Sequence, residues 1–125
     1  MTTHMITISL DGPAKLRLEH ERIAEDGTRE KPKDPGQRIT VDRGDKVIWK
    51  SEVDDLKVRF AKGANTNPFD PIEDSDATFN ARKGSTTPPG VVSVNARNPH
   101  PFKCFVTLGT RKEMPDQVGV ETSGS

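Results

Sequence analysis

The chain has little of what most enzymes and secreted proteins depend on. It contains no tyrosine, a single cysteine and three histidines, and aromatic residues make up only 5% of its 125 positions. One cysteine cannot form an internal disulfide, and no Asn-x-Ser/Thr acceptor for glycosylation occurs. These absences favour a reducing compartment and leave few side chains for acid–base chemistry.

Long hydrophobic runs are also absent. Residues 1–5 lead directly into an alternating pattern, without the basic segment and apolar stretch of a signal peptide. No apolar run reaches the length that a helix needs to span a bilayer. We therefore expect a cytoplasmic protein that does not associate with a membrane.

Neither sign of charge is in excess. Lys and Arg together number 19, as do Asp and Glu, so the formal net charge is zero. A neutral chain has no global field that attracts nucleic acid or an anionic membrane. The composition therefore predicts that the chain has no nucleic-acid partner.

The low hydrophobic content limits the fold. Only 30% of residues are hydrophobic, and a chain of 125 residues suits one domain. A two-layer sandwich meets this limit, because each strand needs apolar residues on one face only. We expect a single domain over residues 1–121, followed by a frayed tail at residues 122–125.

Alternating segments separated by Gly, Pro, Asn and Asp predict an all-β chain of seven to nine short strands. The segment 15–21 is ambiguous, because its apolar residues also fit a helix over 14–24. The Asp26-Gly27 turn that follows it favours the strand. The other predicted strands cover residues 5–10, 38–41, 46–50, 56–60, 77–80, 91–94, 102–108 and 117–120.

The middle of the chain carries a recognisable pattern. A short strand from Ile39 is followed by a Gly44-Asp45 turn and a strand with Val47 and Trp49 on one face. This order resembles the corresponding part of cupredoxins. The resemblance covers roughly residues 38–121 and implies a two-sheet Greek-key sandwich of the cupredoxin-like type.

The C-terminal part continues the resemblance. Phe102-Lys103-Cys104 resembles the aromatic-x-Cys segment that supplies the copper thiolate in cupredoxins. Residues 115–120 are similar to the last strand of cytoplasmic cupredoxin-like domains. The family's metal ligands, however, are not all present in this sequence.

Two imidazoles, a thiolate and a weak thioether make a blue-copper site. Leu56 stands where the resemblance places the first histidine, Thr107 stands nearest to the second, and Met114 lies beyond the usual axial spacing. His100 and Cys104 would lie about 13 Å apart on an extended strand at ~3.3 Å per residue, too far to share an ion. We therefore expect no metal and no cofactor.

Cys104 alternates with Phe102, Val106 and Leu108, which predicts a buried structural thiol. The histidines His4, His20 and His100 are far apart in sequence, and the pair His20-Glu21 is interpreted as solvated surface. No nucleophile elbow, Walker loop, dinucleotide fingerprint or zinc-protease motif occurs. The sequence therefore predicts no catalytic residues and a protein that is not an enzyme.

The loop over 61–76 is long enough to suggest a function. Asn67, Pro68, Phe69 and Asp70 form a candidate partner-binding tip. In the alternative interpretation, Phe69 plugs the end of the sandwich. The acidic stretch that follows, Asp70 to Asp76, is interpreted as solvated, and calcium binding there stays open.

These observations favour a metal-free cupredoxin-like interaction module with a protein partner. One alternative is an electron-transfer protein with an atypical copper site built from Cys104 and His100. Another is a small enzyme with a site that the sequence motifs do not reveal. Visible colour and bound copper would separate the first two functions.

Overall fold

The computed structural model describes residues 2–32, 37–70, 72 and 75–123. This part of the chain contains ten strands and no helix, so the predicted all-β class is confirmed and no membrane-spanning helix is present there. The strands are β1 (Thr3–Leu10), β2 (Leu16–Ile23), β3 (Arg29–Glu30), β4 (Arg38–Val41), β5 (Lys46–Lys50), β6 (Leu56–Phe60), β7 (Ala77–Ala81), β8 (Gly90–Val91), β9 (His100–Leu108) and β10 (Met114–Thr122).

The strands form two five-stranded sheets. The first sheet has the order β3-β2-β1-β5-β8, and the second sheet has the order β4-β10-β9-β6-β7. Each sheet is mixed, because β1 runs parallel to β5 and β10 runs parallel to β4. The remaining pairs are antiparallel. The arrangement is consistent with a β-sandwich.

The core comes from every second residue of the strands, as the alternation in the sequence predicts. Ile6 and Ile8 of β1 are fully buried, and so are Val47 and Trp49 of β5. A row of aromatic rings crosses this core, with centroids 5.1–6.0 Å apart, through Trp49, Phe60, Phe69 and Phe79. Trp49 and Phe60, on the inward faces of β5 and β6, are both 0% exposed.

The ambiguous segment 15–21 forms a strand. β2 pairs antiparallel with β1 over the whole of their eight residues. The hydrogen bonds and buried face of this hairpin outweigh the helical spacing of the same apolar residues. Pairing thus decides between two periodicities that the local sequence permits.

The bounds of β4, β5 and β6 are as predicted, whereas those of the other strands differ. β8 ends at Val91, because Ser93 N leaves the sheet and donates to Pro68 O. β10 extends to Thr122, whose buried hydroxyl donates to Arg97 O, although the predicted tail begins at this residue. β3 was not predicted, because its two residues are charged and exposed. Residues 124 and 125 of that tail lie outside the described residues.

Two glycines are required by their surroundings. Gly44 adopts a φ of 89° in the turn between β4 and β5, a conformation that other residues rarely adopt. A Cβ on Gly119 would lie 2.2 Å from the carbonyl oxygen of Phe102, where β10 and β9 change register. These glycines allow the turn and the close strand approach at those two points.

Replacing Trp49 with Ala should lower the free energy of unfolding by about 3–5 kcal/mol, because it empties the largest fully buried position. Urea denaturation followed by circular dichroism measures the change. Trp49→Phe should cost less, because it keeps most of the ring volume and removes the indole Nε1, which has no hydrogen-bond partner among the described residues. An unchanged midpoint for Trp49→Ala would contradict the assignment of Trp49 to the core.

Candidate functional site

The residues considered for a copper site are engaged within the protein in other ways. Leu56 is buried and pairs with Leu108 across the β6–β9 ladder. The Cys104 thiol is fully buried and donates to Val118 O at 3.4 Å. The His100 imidazole lies 2.9 Å from Asn65 O, outside the core. Among the described residues, no group of three or more His, Cys, Asp and Glu side chains is placed to hold a metal ion.

The predicted partner-binding tip is mostly internal. Asn67, Pro68 and Phe69 are buried, and only Asp70 is exposed. The Phe69 ring packs edge-on against Phe60, with the centroids 5.1 Å apart, and the Asn67 side-chain oxygen accepts the Phe69 N–H. Phe69 therefore occupies the core, as the alternative interpretation expects, and its ring is not available to a partner.

The acidic part of this loop is tied to the sheet. The two carboxylate oxygens of Asp76 accept hydrogen bonds from Lys62 N and from the Arg59 guanidinium, at 2.9 and 3.1 Å. These donors, the Lys62 N–H first, lower the pKa of Asp76 below its ordinary value. Both oxygens are thus engaged within the protein. Glu73 and Asp74 lie outside the described residues.

One large hydrophobic side chain is exposed beside this loop. Val94 is 68% exposed and is the only such residue in the described part of the chain. It follows Ser93, whose N–H is bonded to Pro68 O, and Asp70 N is bonded to Val91 O. These bonds hold the segments that carry Val94 and Asp70 close together, and we call the surface of these two residues the tip.

Two histidines and an aspartate form a buried chain that the sequence did not predict. His4 Nδ1 lies 2.8 Å from His20 Nε2, and His4 Nε2 lies 2.8 Å from Asp45 Oδ2. The three residues are 1%, 6% and 7% exposed, respectively. The interpretation of His20 as solvated surface is therefore wrong. His20 has the same parity in β2 as buried Leu16, so it faces inward although its neighbour Glu21 does not.

The strand register brings these side chains together. His20 lies opposite Ile6 in the β1–β2 ladder, so His4 is its diagonal neighbour, with ring centroids 5.0 Å apart. Asp45 comes from the turn that Gly44 permits, directly before β5. The sequence did indicate that His4 is buried, because His4 and Ile6 lie on the same face of β1. It did not indicate the partners of His4, because those depend on how β1 pairs with β2 and β5.

Hydrogen bonds keep the Asp45 carboxyl ionised. Burial alone would raise the pKa of Asp45, but hydrogen bonds from His4 and from the Asp42 and Thr2 N–H groups outweigh it and hold this pKa below its ordinary value. Both ring nitrogens of His4 are engaged within the chain. His4 and Asp45 are thus closed to a substrate, and their arrangement supports the fold.

The outward side of the first sheet carries an open cleft of about 550 Å³. Its floor includes Met5, Thr7 and Lys50, which are outward residues of β1 and β5. Arg29 at the start of β3 and the segment 31–32 line its wall. Its volume lies within the range of about 300–1,000 Å³ found for ligand sites. The sequence did not predict this cleft, because strands distant in sequence build it.

No protein-family model, no curated protein and no solved structure matches the chain.

The Cys104 thiol should react with a maleimide about a thousandfold more slowly in the native protein than in 6–8 M urea. Labelling a fully buried thiol requires an opening that costs about 4 kcal/mol or more. Mass spectrometry over time measures both rates. Equal rates in the two states would show that Cys104 is accessible and reactive.

Proposed function

We propose that the chain is a non-catalytic, metal-free binding module of the cupredoxin-like Greek-key type, that it acts in the cytoplasm and that its partner is a protein. The cleft on the outward side of the first sheet is the observation that carries this proposal. It combines a suitable volume with accessible side chains. The Cys104 thiol and the His4–Asp45 pair are buried and are not accessible in the same way.

The burial of reactive groups supports binding without catalysis. Cys104 is 0% exposed, and the chain of His4 and Asp45 is closed by its own hydrogen bonds. A nucleophile or general base must reach the reacting atoms of a substrate. These side chains are covered by the sandwich, whereas the cleft is lined mainly by side chains that suit recognition.

The lining of the cleft suits a protein segment more than a small molecule. Small-molecule sites are mostly apolar and enclose most of the ligand. This cleft is open and carries both signs of charge, with Lys31 and Lys50 on one hand and Glu19 and Glu21 on the other. Arg29 is paired with Glu21 across the wall. An extended peptide with charged and apolar side chains could match such a surface along its length.

The charge balance supports a protein partner over a nucleic acid. Phosphate backbones are bound by surfaces with an excess of Lys and Arg. In the cleft, the carboxylates of Glu19 and Glu21 stand beside the cations, and the chain as a whole has zero net charge. A polyanion would meet repulsion there as well as attraction.

Selection from a phage-displayed random peptide library against the immobilised protein tests this function. We expect a consensus peptide to emerge, and Thr7→Trp should weaken its binding by about tenfold or more, because the larger ring fills the cleft. Thr7 is half-buried on the outward face, where strands accept large side chains. Fluorescence anisotropy with the synthetic peptide gives the affinity.

Val94→Asp is the matched control, because it changes the exposed tip and leaves the cleft intact. It should bind the selected peptide as the wild type does. Loss of binding in Val94→Asp with full binding in Thr7→Trp would move the contact to the tip. No enrichment over an unrelated β-sandwich protein would refute the proposed binding function. Thermal melting of both variants confirms that they are folded.

A copper-binding assay separates the proposed function from the electron-transfer alternative, because only an electron-transfer protein would retain copper. Protein mixed with one equivalent of Cu(I) or Cu(II) and then desalted should retain less than about a tenth of an equivalent, because His100 and Cys104 are engaged at separate places. Atomic absorption measures the retained copper. Stoichiometric copper with a thiolate charge-transfer band would favour the electron carrier instead.

A further inference from the structure

The His20–His4–Asp45 chain joins three elements of the fold. His20 lies in β2, His4 in β1 and Asp45 in the turn before β5, and each neighbouring pair is linked at 2.8 Å. β1 is the central strand of the first sheet, between β2 and β5. These hydrogen-bonded side chains therefore link the central strand β1 to β2 on one side and to the turn before β5 on the other.

We propose that His4 and His20 form a proton-limited pair, which makes the first sheet open when the surroundings become acidic. The pair has four ring nitrogens, and an isolated pair of imidazolium rings carries four protons. In the fold, His4 Nδ1 and His20 Nε2 face each other at 2.8 Å and share one proton, because two N–H groups cannot point at each other there. The folded pair thus holds three protons at most.

Asp45 fixes how the protons are placed. Its carboxylate accepts a hydrogen bond from His4 Nε2, which must therefore carry a proton. Of the two nitrogens that face each other, either one can be the donor. The folded pair can thus be neutral or carry one positive charge, and a second positive charge requires the 2.8 Å contact between the rings to break.

Two charged groups from neighbouring elements lie near the pair, and each has a bonded partner of its own. From β2, Arg22 lies opposite His4 in the ladder, and its guanidinium is bonded to Glu30 of β3 at 2.6 Å. From the turn, Asp42 is exposed and accepts the Ser123 hydroxyl. β10 of the second sheet contacts β2, and its buried residues Val118, Val120 and Thr122 carry no titratable side chain.

Proton counting gives the direction and size of the effect. Free histidine titrates near pH 6.5, so an unfolded chain binds two protons on this pair at about pH 5. Counted in the same way, as protons beyond the neutral pair, the folded chain binds one at most. Because the unfolded state binds at least one proton more, stability falls as the pH falls, and the unfolding constant rises at least tenfold per pH unit.

The Asp45 carboxyl acts in a lower pH range. Its pKa is lowered in the fold, so its contribution to stability is present above its ordinary value near 3.9 and is lost as the pH falls further. The range from about pH 6 to 5 therefore reports mainly on the histidine pair, because the lowered pKa values of Asp45 and Asp76 add a slope of the same sign below about pH 5. The cleft lies on this sheet, so opening of the sheet in acid would release a bound peptide, a consequence that rests on the proposed function.

Urea unfolding of the peptide-free protein between pH 4.5 and 7.5 tests the proton limit. The wild type should show the rise of at least tenfold per pH unit between about pH 6 and 5. His4→Gln and His20→Gln should each lose most of it. A glutamine side chain can either donate or accept, so the remaining imidazole can carry both protons in the fold. His100→Gln, which changes the histidine bonded to Asn65 O, should keep the wild-type slope.

Nitrogen-15 NMR of the imidazole rings provides a readout that needs no variant. At pH 5, one of the four nitrogens of His4 and His20 should remain unprotonated in the native protein. Four protonated nitrogens in a native spectrum would overturn the proposal, as would wild-type slopes in both glutamine variants. Loss of peptide binding is not measured here, so a failure of the cleft proposal leaves this test unaffected.

Discussion

The carboxylate of Asp45 holds the point at which the chain crosses from one sheet to the other. β4 belongs to the second sheet and β5 to the first, and Asp45 lies in the turn between them. Its oxygens accept hydrogen bonds from Thr2 N, Asp42 N and His4 Nε2. Two of these donors lie at or beside β1, so the place of β1 beside β5 is tied to this one side chain.

β1 connects the interior of the molecule with its surface. Its inward residues include His4 and Ile6, which face the core, and its outward residues Met5 and Thr7 form part of the cleft floor. A strand alternates its side chains between two faces, so a shift of one residue would exchange these roles. The contacts that fix β1 in the sheet therefore also fix the geometry of the cleft.

The candidate sites could be predicted from sequence only in part. Cys104 lies in a strand with clear alternation, and its burial followed from that pattern. Phe69 lies in an irregular loop, where local sequence permits both a buried and an exposed ring, and its contact with Phe60 decides between them. His20 was assigned to the surface together with Glu21, as a pair on a polar strand. Strand parity, rather than the polarity of neighbours, determines its direction.

The sequence by itself determined the class of fold and most of the core residues that the strands supply, because the period of two is a local property that each strand carries. Trp49 and Phe60 are buried for that reason. Only the tertiary structure decided which strands are neighbours. His4 and His20 are 16 residues apart, and His4 and Asp45 are 41 apart. Their contacts, and the cleft beside them, exist because β2 and β5 both pair with β1 in one register, and no local pattern encodes that pairing.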